Sequence, residues 1–186
     1  SLRQNPWQLG AAALCGAAGL IGLAALYVAA LHALGVYERR HLAWHLRTWF
    51  QGYFYRYVPG KVMVVVERVR LGERANIPRS TSVLLVLWET LLLLAGACVL
   101  AVAGLGVVPL GAALPLGSIP AATVTALALV FAFPFGLRLL ARWSDRAKQL
   151  IPPALFAVPA HTQTGLVLGY AGVWLLLGAS FALTCR

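Results

Sequence analysis

The chain has 186 residues, of which 61% are hydrophobic and 11% are charged, and its mean hydropathy is +0.81. Soluble domains contain about 45–50% apolar and about 25% charged residues, so this composition excludes a soluble domain and indicates an exterior that faces lipid. The formal net charge of +10 would suggest nucleic-acid binding in a soluble chain, but here the basic residues lie at the ends of apolar runs, and we expect no nucleic-acid partner.

Residues 9–34 form the first predicted transmembrane helix, because the run is apolar and contains no ionised side chain. About 20 such residues are enough to cross the hydrocarbon core. Gly16, Gly19 and Gly22 recur every third residue and predict a smooth stripe that lets another helix approach closely. The alternative is that these glycines simply occur in an alanine-rich helix.

Three further apolar runs predict transmembrane helices over residues 81–108, 119–140 and 162–185. Glu89 is the one ionisable residue inside the first of these runs. The segment 150–160 is apolar but short and contains three prolines, so we interpret it as interfacial or re-entrant rather than as a fifth span. The cysteines show no disulfide or metal-ligand spacing and are predicted to be small buried apolar residues; they are Cys15, Cys98 and Cys185.

The basic residues are distributed asymmetrically between the two predicted sides of the membrane. Nine lie within residues 39–79 and four within residues 138–148. Because short cytoplasmic loops of membrane proteins are enriched in Lys and Arg, these thirteen residues are predicted to be cytoplasmic and both ends of the chain to face outward. The expected location is the cell (inner or cytoplasmic) membrane, crossed several times.

Residues 42–72 form a region that differs from the four spans. Its first half mixes basic side chains with aromatic rings, which favour the headgroup level of a bilayer. These rings are Trp44, Trp49, Phe50, Tyr53, Phe54, Tyr55 and Tyr57. One interpretation is an amphipathic helix that lies in the interface and anchors the bundle.

The sequence Tyr57-Val58-Pro59-Gly60-Lys61 predicts a chain break in the middle of this region. The apolar stretch after it is too short to span and suits a re-entrant half-helix. The helix N-terminus and Lys61 would then favour an anion, for which a lipid phosphate is the candidate. Glu67 and Arg68 would lie at membrane depth, where ionisable residues are costly and usually paired or functional.

Three features in this order resemble one known family: Tyr57-Val58-Pro59-Gly60-Lys61-Val62, then Arg68, then Leu87-Trp88-Glu89. They are similar to the transmembrane region of lysylphosphatidylglycerol synthases and related flippase-like membrane proteins, over roughly residues 20–100. The resemblance implies movement of lipid between leaflets, with an anionic or polyprenyl-linked lipid as partner. It does not extend to the soluble aminoacyl-transfer domain, so we expect no synthase activity.

Nothing after Pro159 resembles the later Pro-Gly-Gly and Arg-Glu segment of that family, and we expect the chain to be a single transmembrane domain of a longer protein. The sequence therefore predicts an all-α polytopic bundle with a flippase-like function. The predicted lipid path consists of Tyr57, Pro59, Gly60, Lys61, Glu67, Arg68 and Glu89. Within that path Glu89 would pair with Arg68 or Lys61; the alternative is a structural ion pair between helices.

Two other functions stay open, a non-catalytic membrane scaffold that assists a lipid or glycosyl transferase and a membrane transferase acting on a lipid-linked substrate. We expect no enzyme, because no catalytic triad, metal-ligand spacing or phosphate-binding loop of the Walker type is evident. No cofactor and no metal are expected. Association with a transferase or synthase domain, or with further copies of the chain, also stays open.

Overall fold

The computed structural model describes residues 6–35, 42–55, 62–74, 77–105, 118–144, 151 and 158–185. Every extended regular element in these ranges is an α-helix, which confirms the all-α prediction. The helices are α1 (Pro6–Ala33), α2 (Leu42–Phe54), α3 (Val62–Arg74), α4 (Arg79–Leu105), α5 (Ser118–Trp143) and α6 (Ala160–Thr184). Tyr57, Pro59, Gly60 and Lys61 lie outside the described residues, as does most of the segment 150–160.

Four of the described helices, α1, α4, α5 and α6, are long and apolar enough to cross a membrane, so the chain is a multi-pass membrane protein. They coincide with the four predicted spans to within a few residues at each end, although residues 106–108 of the second predicted span are not among those described. Helices form here because hydrocarbon offers the backbone N–H and C=O groups no partner, and a helix satisfies them internally.

The four long helices pack in a row. α1 lies along α6, α6 contacts α4, and α4 contacts α5. The glycine stripe of α1 faces α6, since a Cβ atom built on Gly19 would come within 2.8 Å of Leu177, and one on Gly22 within 2.9 Å of Val173. The prediction of a close helix contact at this stripe is therefore confirmed.

The contact between α4 and α6 also depends on a glycine. A Cβ atom at Gly96 would lie 2.9 Å from the backbone nitrogen of Ala171, so the two backbones approach to a distance that no other residue allows without displacement. In addition, the indole nitrogen of Trp174 on α6 donates a hydrogen bond of 3.1 Å to the carbonyl of Leu93 on α4. Small residues and a few interhelical hydrogen bonds are the usual means of helix association in lipid.

α2 and α3, which we call the short helix pair, have 13 residues each. At about 1.5 Å per residue each is about 20 Å long, which is shorter than the hydrocarbon core of about 30 Å. The two helices pack against each other, α2 also contacts α1, and α3 also contacts α4. The indole nitrogen of Trp44 on α2 donates to the carbonyl of Leu71 on α3 over 3.3 Å.

The cysteines are less buried than the sequence predicted. Cys15 and Cys98 are half-buried and Cys185 is exposed. The prediction of three buried thiols was wrong because an apolar helix in a membrane can direct a small thiol toward lipid as easily as toward a neighbouring helix.

Candidate functional site

A buried ion pair joins the short helix pair to the bundle. Arg68 on α3 binds Glu89 on α4 through both terminal nitrogens: Nη1 donates to Oε2, and Nη2 lies 3.5 Å from Oε1. The two side chains are 8% and 6% exposed. Of the two partners that the sequence left open for Glu89, the structure shows Arg68, while Lys61 is outside the described residues.

Trp49 provides a second donor to the same carboxylate. Its indole nitrogen lies 3.2 Å from Oε1 of Glu89, and its side chain is almost completely buried. The sequence placed Trp49 among the rings of a possible interfacial helix, and the structure buries its side chain inside the protein. The reason is that α2 packs on α1 and α3 and so brings one of its aromatic residues inside, where the indole N–H needs an acceptor.

Two residues from other helices shape the space around the guanidinium of Arg68. The ring of Tyr27 on α1 lies with its centroid 5.2 Å from the guanidinium carbon, a cation–π distance. On α2, Gly52 provides room for the side chain, because a Cβ atom there would come within 2.9 Å of Cγ of Arg68. Four helices thus contribute to the environment of one ion pair.

The electrostatics of Arg68 are set mainly by two opposing effects. Desolvation by burial disfavours the positive charge, but the charge of Glu89 and the hydrogen bond to it outweigh this, so the pKa of Arg68 is raised above its ordinary value. The guanidinium is therefore charged at neutral pH. The pair carries no net charge when both groups are ionised, which reduces the cost of keeping it away from water.

Glu89 lies near the middle of α4. It is ten positions after Arg79 at the start of the helix, and at about 1.5 Å per residue this places it about 15 Å along an element about 40 Å long. An isolated charge at the centre of a spanning helix costs about 3 kcal/mol on insertion scales. The pairing with Arg68 explains how this carboxylate is accommodated.

A cavity of about 70 Å³ adjoins the ion pair, and its lining includes Tyr53, Arg68, Glu89 and Thr90 together with apolar side chains. About 10–15 Å³ of such volume is enough for one water molecule, so the cavity has room for several. Nε of Arg68 is buried without a hydrogen-bond partner among the described residues. Buried polar atoms are normally paired, so this nitrogen has hydrogen-bonding capacity that the described residues do not use.

The hydroxyl group of Tyr170 on α6 is a second buried polar atom without a partner among the described residues. Tyr170 packs against Gly96 on α4, the helix that also carries Glu89. Neither Tyr27 nor Tyr170 was recognised as a site residue from the sequence. Each is the one tyrosine in its apolar helix, and that isolation was the available signal.

Glu67, which the sequence grouped with Arg68 and Glu89, lies in a different place. Its Oε1 accepts a hydrogen bond of 2.9 Å from Arg70, three residues further along α3. Consecutive residues of a helix are about 100° apart around the axis, so Glu67 and Arg68 point in different directions. The structure thus brings Arg68 and Glu89 together, separates Glu67 from them, and does not describe Tyr57, Pro59, Gly60 or Lys61.

Comparisons of the chain with protein-family models, curated proteins and solved structures found no match. The resemblance to flippase-like membrane proteins is therefore carried only by the residues named above.

Proposed function

We propose that this protein is a flippase-like membrane protein that moves a phospholipid or polyprenyl-linked lipid between leaflets. The observation that carries the proposal is the Arg68–Glu89 pair, buried where α3 meets the spanning helix α4, well away from both ends of α4, and next to a cavity with unused hydrogen-bonding capacity. Ionisable residues at such a depth are expensive and usually mark a path for a substrate or an ion.

The chemistry of the pair suits a phosphate headgroup. A guanidinium binds phosphate and carboxylate oxygens with the same fork of N–H donors, so a headgroup can replace Glu89 as the partner of Arg68. Glu89 would then keep its hydrogen bond from Trp49. The headgroup would pass along this polar route while the acyl tails stay in the bilayer, and because the sequence contains no nucleotide motif, transport would be downhill or coupled to an ion gradient.

The short helix pair is the proposed entrance. α2 and α3 are too short to cross the hydrocarbon core, and they contact α1 and α4 on the side where Arg68 enters the bundle. A re-entrant position of this pair would bring the headgroup from the basic side of the membrane. By the positive-inside rule this side would be the cytoplasmic side of the cell membrane.

A second candidate function is a membrane scaffold, and a specific observation favours it. Both oxygens of Glu89 already accept hydrogen bonds, from Arg68 and from Trp49. For a pair satisfied in this way, a purely structural role is sufficient: it fixes α3 against α4. The bundle would then act as a docking platform for a transferase.

The experiment that separates the two is a lipid-translocation assay with the complete protein in proteoliposomes. The vesicles would contain headgroup-labelled phosphatidylglycerol or a labelled polyprenyl phosphate, and a membrane-impermeant quencher would be added from outside. A transporter lets quenching exceed the share of label in the outer leaflet, whereas a scaffold does not.

The informative variant is the double substitution Arg68→Met with Glu89→Gln. It removes both charges together, so no buried charge is left unpaired, and the amide oxygen of the new glutamine side chain can still accept from Trp49. The variant is expected to fold and to lose translocation. Arg142→Gln, which changes an exposed arginine at the end of α5, is the control and should transport normally. Unchanged translocation by the double variant would contradict the proposal.

A further inference from the structure

A second polar cavity lies between the two helices of the short helix pair. It has a volume of about 440 Å³, and its lining includes Trp44, Arg47, Gln51, Glu67, Arg70 and Arg74. Within the described residues it has no lining residue in common with the Arg68–Glu89 cavity. We call it the arginine cleft.

The charges of the arginine cleft are unbalanced. The described lining contains three arginines, of which Arg47 comes from α2 and Arg70 and Arg74 come from α3. Glu67 is the only carboxylate in the described lining. Glu67 pairs with Arg70 at 2.9 Å, but their exposures differ: the Glu67 side chain is 10% exposed and the Arg70 side chain 58%. The acid thus holds one end of a guanidinium whose other N–H donors face the open cleft.

Aromatic contacts fix the α2 side of the cleft. The guanidinium carbon of Arg47 lies 5.7 Å from the centroid of the Trp44 ring, which is within cation–π distance. The same indole donates to the carbonyl of Leu71 on α3 and so ties the two helices together beneath the cleft. The exposed guanidinium of Arg47 thus lies beside an indole that is itself tied to α3, so the α2 side of the cleft is partly arranged before any ligand binds.

We propose that the arginine cleft binds a phosphate-bearing anion. Arginines from two helices converge on a cavity whose volume falls in the range of about 300–1,000 Å³ usual for ligand sites, and guanidinium groups match phosphate oxygens in geometry as well as in charge. The two sources of this chemistry are the headgroup of an anionic lipid and free phosphate. The short helix pair belongs to the arginine-rich part of the chain, where attraction to an anionic leaflet favours the lipid.

This site is independent of the proposed lipid translocation. It would hold an anion on the short helix pair even if no lipid passed the Arg68–Glu89 pair. Failure of the translocation assay therefore leaves the binding experiment interpretable, and failure of binding leaves the translocation proposal standing.

The test is native mass spectrometry of the complete protein in a non-ionic detergent. Short-chain phosphatidylglycerol and phosphatidylcholine would be titrated in separate arms, and inorganic phosphate in a third. The expected result is preferential retention of phosphatidylglycerol, with affinity reduced at least about tenfold in Arg47→Gln and in Arg74→Gln, since a hydrogen bond to a charged group is lost. Arg142→Gln is the matched control, an exposed arginine outside the cleft, and should bind as the unaltered protein does.

Glu67→Gln provides a test of opposite sign. It removes the only carboxylate of the described lining and releases Arg70, so the affinity for the anion should increase severalfold. Arg74 is exposed, so Arg74→Gln keeps the proposal testable if the change at the buried Glu67 prevents folding.

Each result of the three arms has a defined meaning. Retention of phosphatidylglycerol but not of free phosphate identifies the lipid headgroup as the source, and arginine-dependent binding of phosphate alone identifies the free anion. Equal retention of phosphatidylglycerol and phosphatidylcholine, or binding that Arg47→Gln and Arg74→Gln leave unchanged, would overturn the proposal.

Discussion

Two contacts in this bundle are built on different physical principles. Between α1 and α6, a glycine stripe meets apolar side chains, and the hydroxyl of Ser180 adds one hydrogen bond of 2.8 Å to the carbonyl of Ala12. Between the short helix pair and α4, the contact is centred on the Arg68–Glu89 ion pair and the indole of Trp49. The contact between α1 and α6 depends on close packing at small residues, whereas the contact between the short helix pair and α4 depends on charge.

The difference shows what each contact tolerates. Lipid tails are as apolar as leucine, so α1 and α6 gain from close packing rather than from leaving water, and an added methyl group should harm them most. The polar contact should instead be harmed most by removing one charge, since the remaining charge stays buried without a partner. Four substitutions with successively smaller expected losses of stability test this difference.

The largest effect is expected from Glu89→Ala. It leaves Arg68 buried and unpaired, and breaking one side of such a pair costs about 3–5 kcal/mol. The free energy of unfolding, measured by titration with sodium dodecyl sulfate in mixed micelles, should fall by this amount. The double variant Arg68→Met with Glu89→Gln should lose much less, and an equal loss in both variants would show that charge does not govern this contact.

Gly96→Ala tests the role of volume at the interface of α4 and α6. The new Cβ atom would lie 2.9 Å from the backbone nitrogen of Ala171, so the helices must separate, at a cost of about 1–3 kcal/mol. The matched control is Gly104→Ala on the same helix, where nothing lies within 4 Å of the added atom. That control should be neutral or stabilising, because alanine favours a helix over glycine by about 0.5–1 kcal/mol, and similar losses at both positions would contradict the packing argument.

Gly52→Ala tests packing and charge together, because the added methyl group would press on the side chain of the charged residue Arg68. The added atom would lie 2.9 Å from Cγ and 3.1 Å from Nε of Arg68, and the side chain is held by Glu89. We expect a loss of about 1–2 kcal/mol in the unaltered background. In the Arg68→Met, Glu89→Gln background the loss should be smaller, since methionine is not held there, and an undiminished loss would show that Gly52 acts independently of the pair.

The smallest effect is expected from Ser180→Ala, which removes the hydrogen bond to Ala12. Interhelical hydrogen bonds in membranes contribute about 0.6 kcal/mol on average, and the same unfolding titration should detect a loss of that order. Thr164→Val is the control, because the hydroxyl of Thr164 bonds the carbonyl of Ala160 within its own helix. A loss at Thr164 as large as that at Ser180 would argue against a role for the bond between helices.

Much of the fold could be predicted from the sequence, and the residues explain why. The four long helices follow from uninterrupted apolar runs, since in a membrane a long apolar segment has few alternatives to a helix. The glycine stripe of α1 could be recognised from its spacing alone. The predicted ends of the helices differ from the observed ends by a few residues, because apolar runs continue into the interface, where both helix and loop are tolerated.

The candidate site could be predicted only in part. A carboxylate within an apolar span must be neutral, paired or hydrated, and the sequence offered Arg68 and Lys61 as possible partners of Glu89. It could not separate Glu67 from this group, because that depends on the rotation of α3 about its axis when it packs. The same rotation creates the arginine cleft, which no motif indicated.

The all-α class, the four long apolar helices and the need to accommodate one acid in an apolar span follow from local composition and from the lack of water in lipid, so the amino-acid sequence is sufficient to predict them. The pairing of Arg68 with Glu89, and the positions of Trp49 and Tyr27 around them, could be seen only in the folded bundle. The physical reason is that these residues come from four helices, and which faces meet depends on packing between surfaces far apart along the chain.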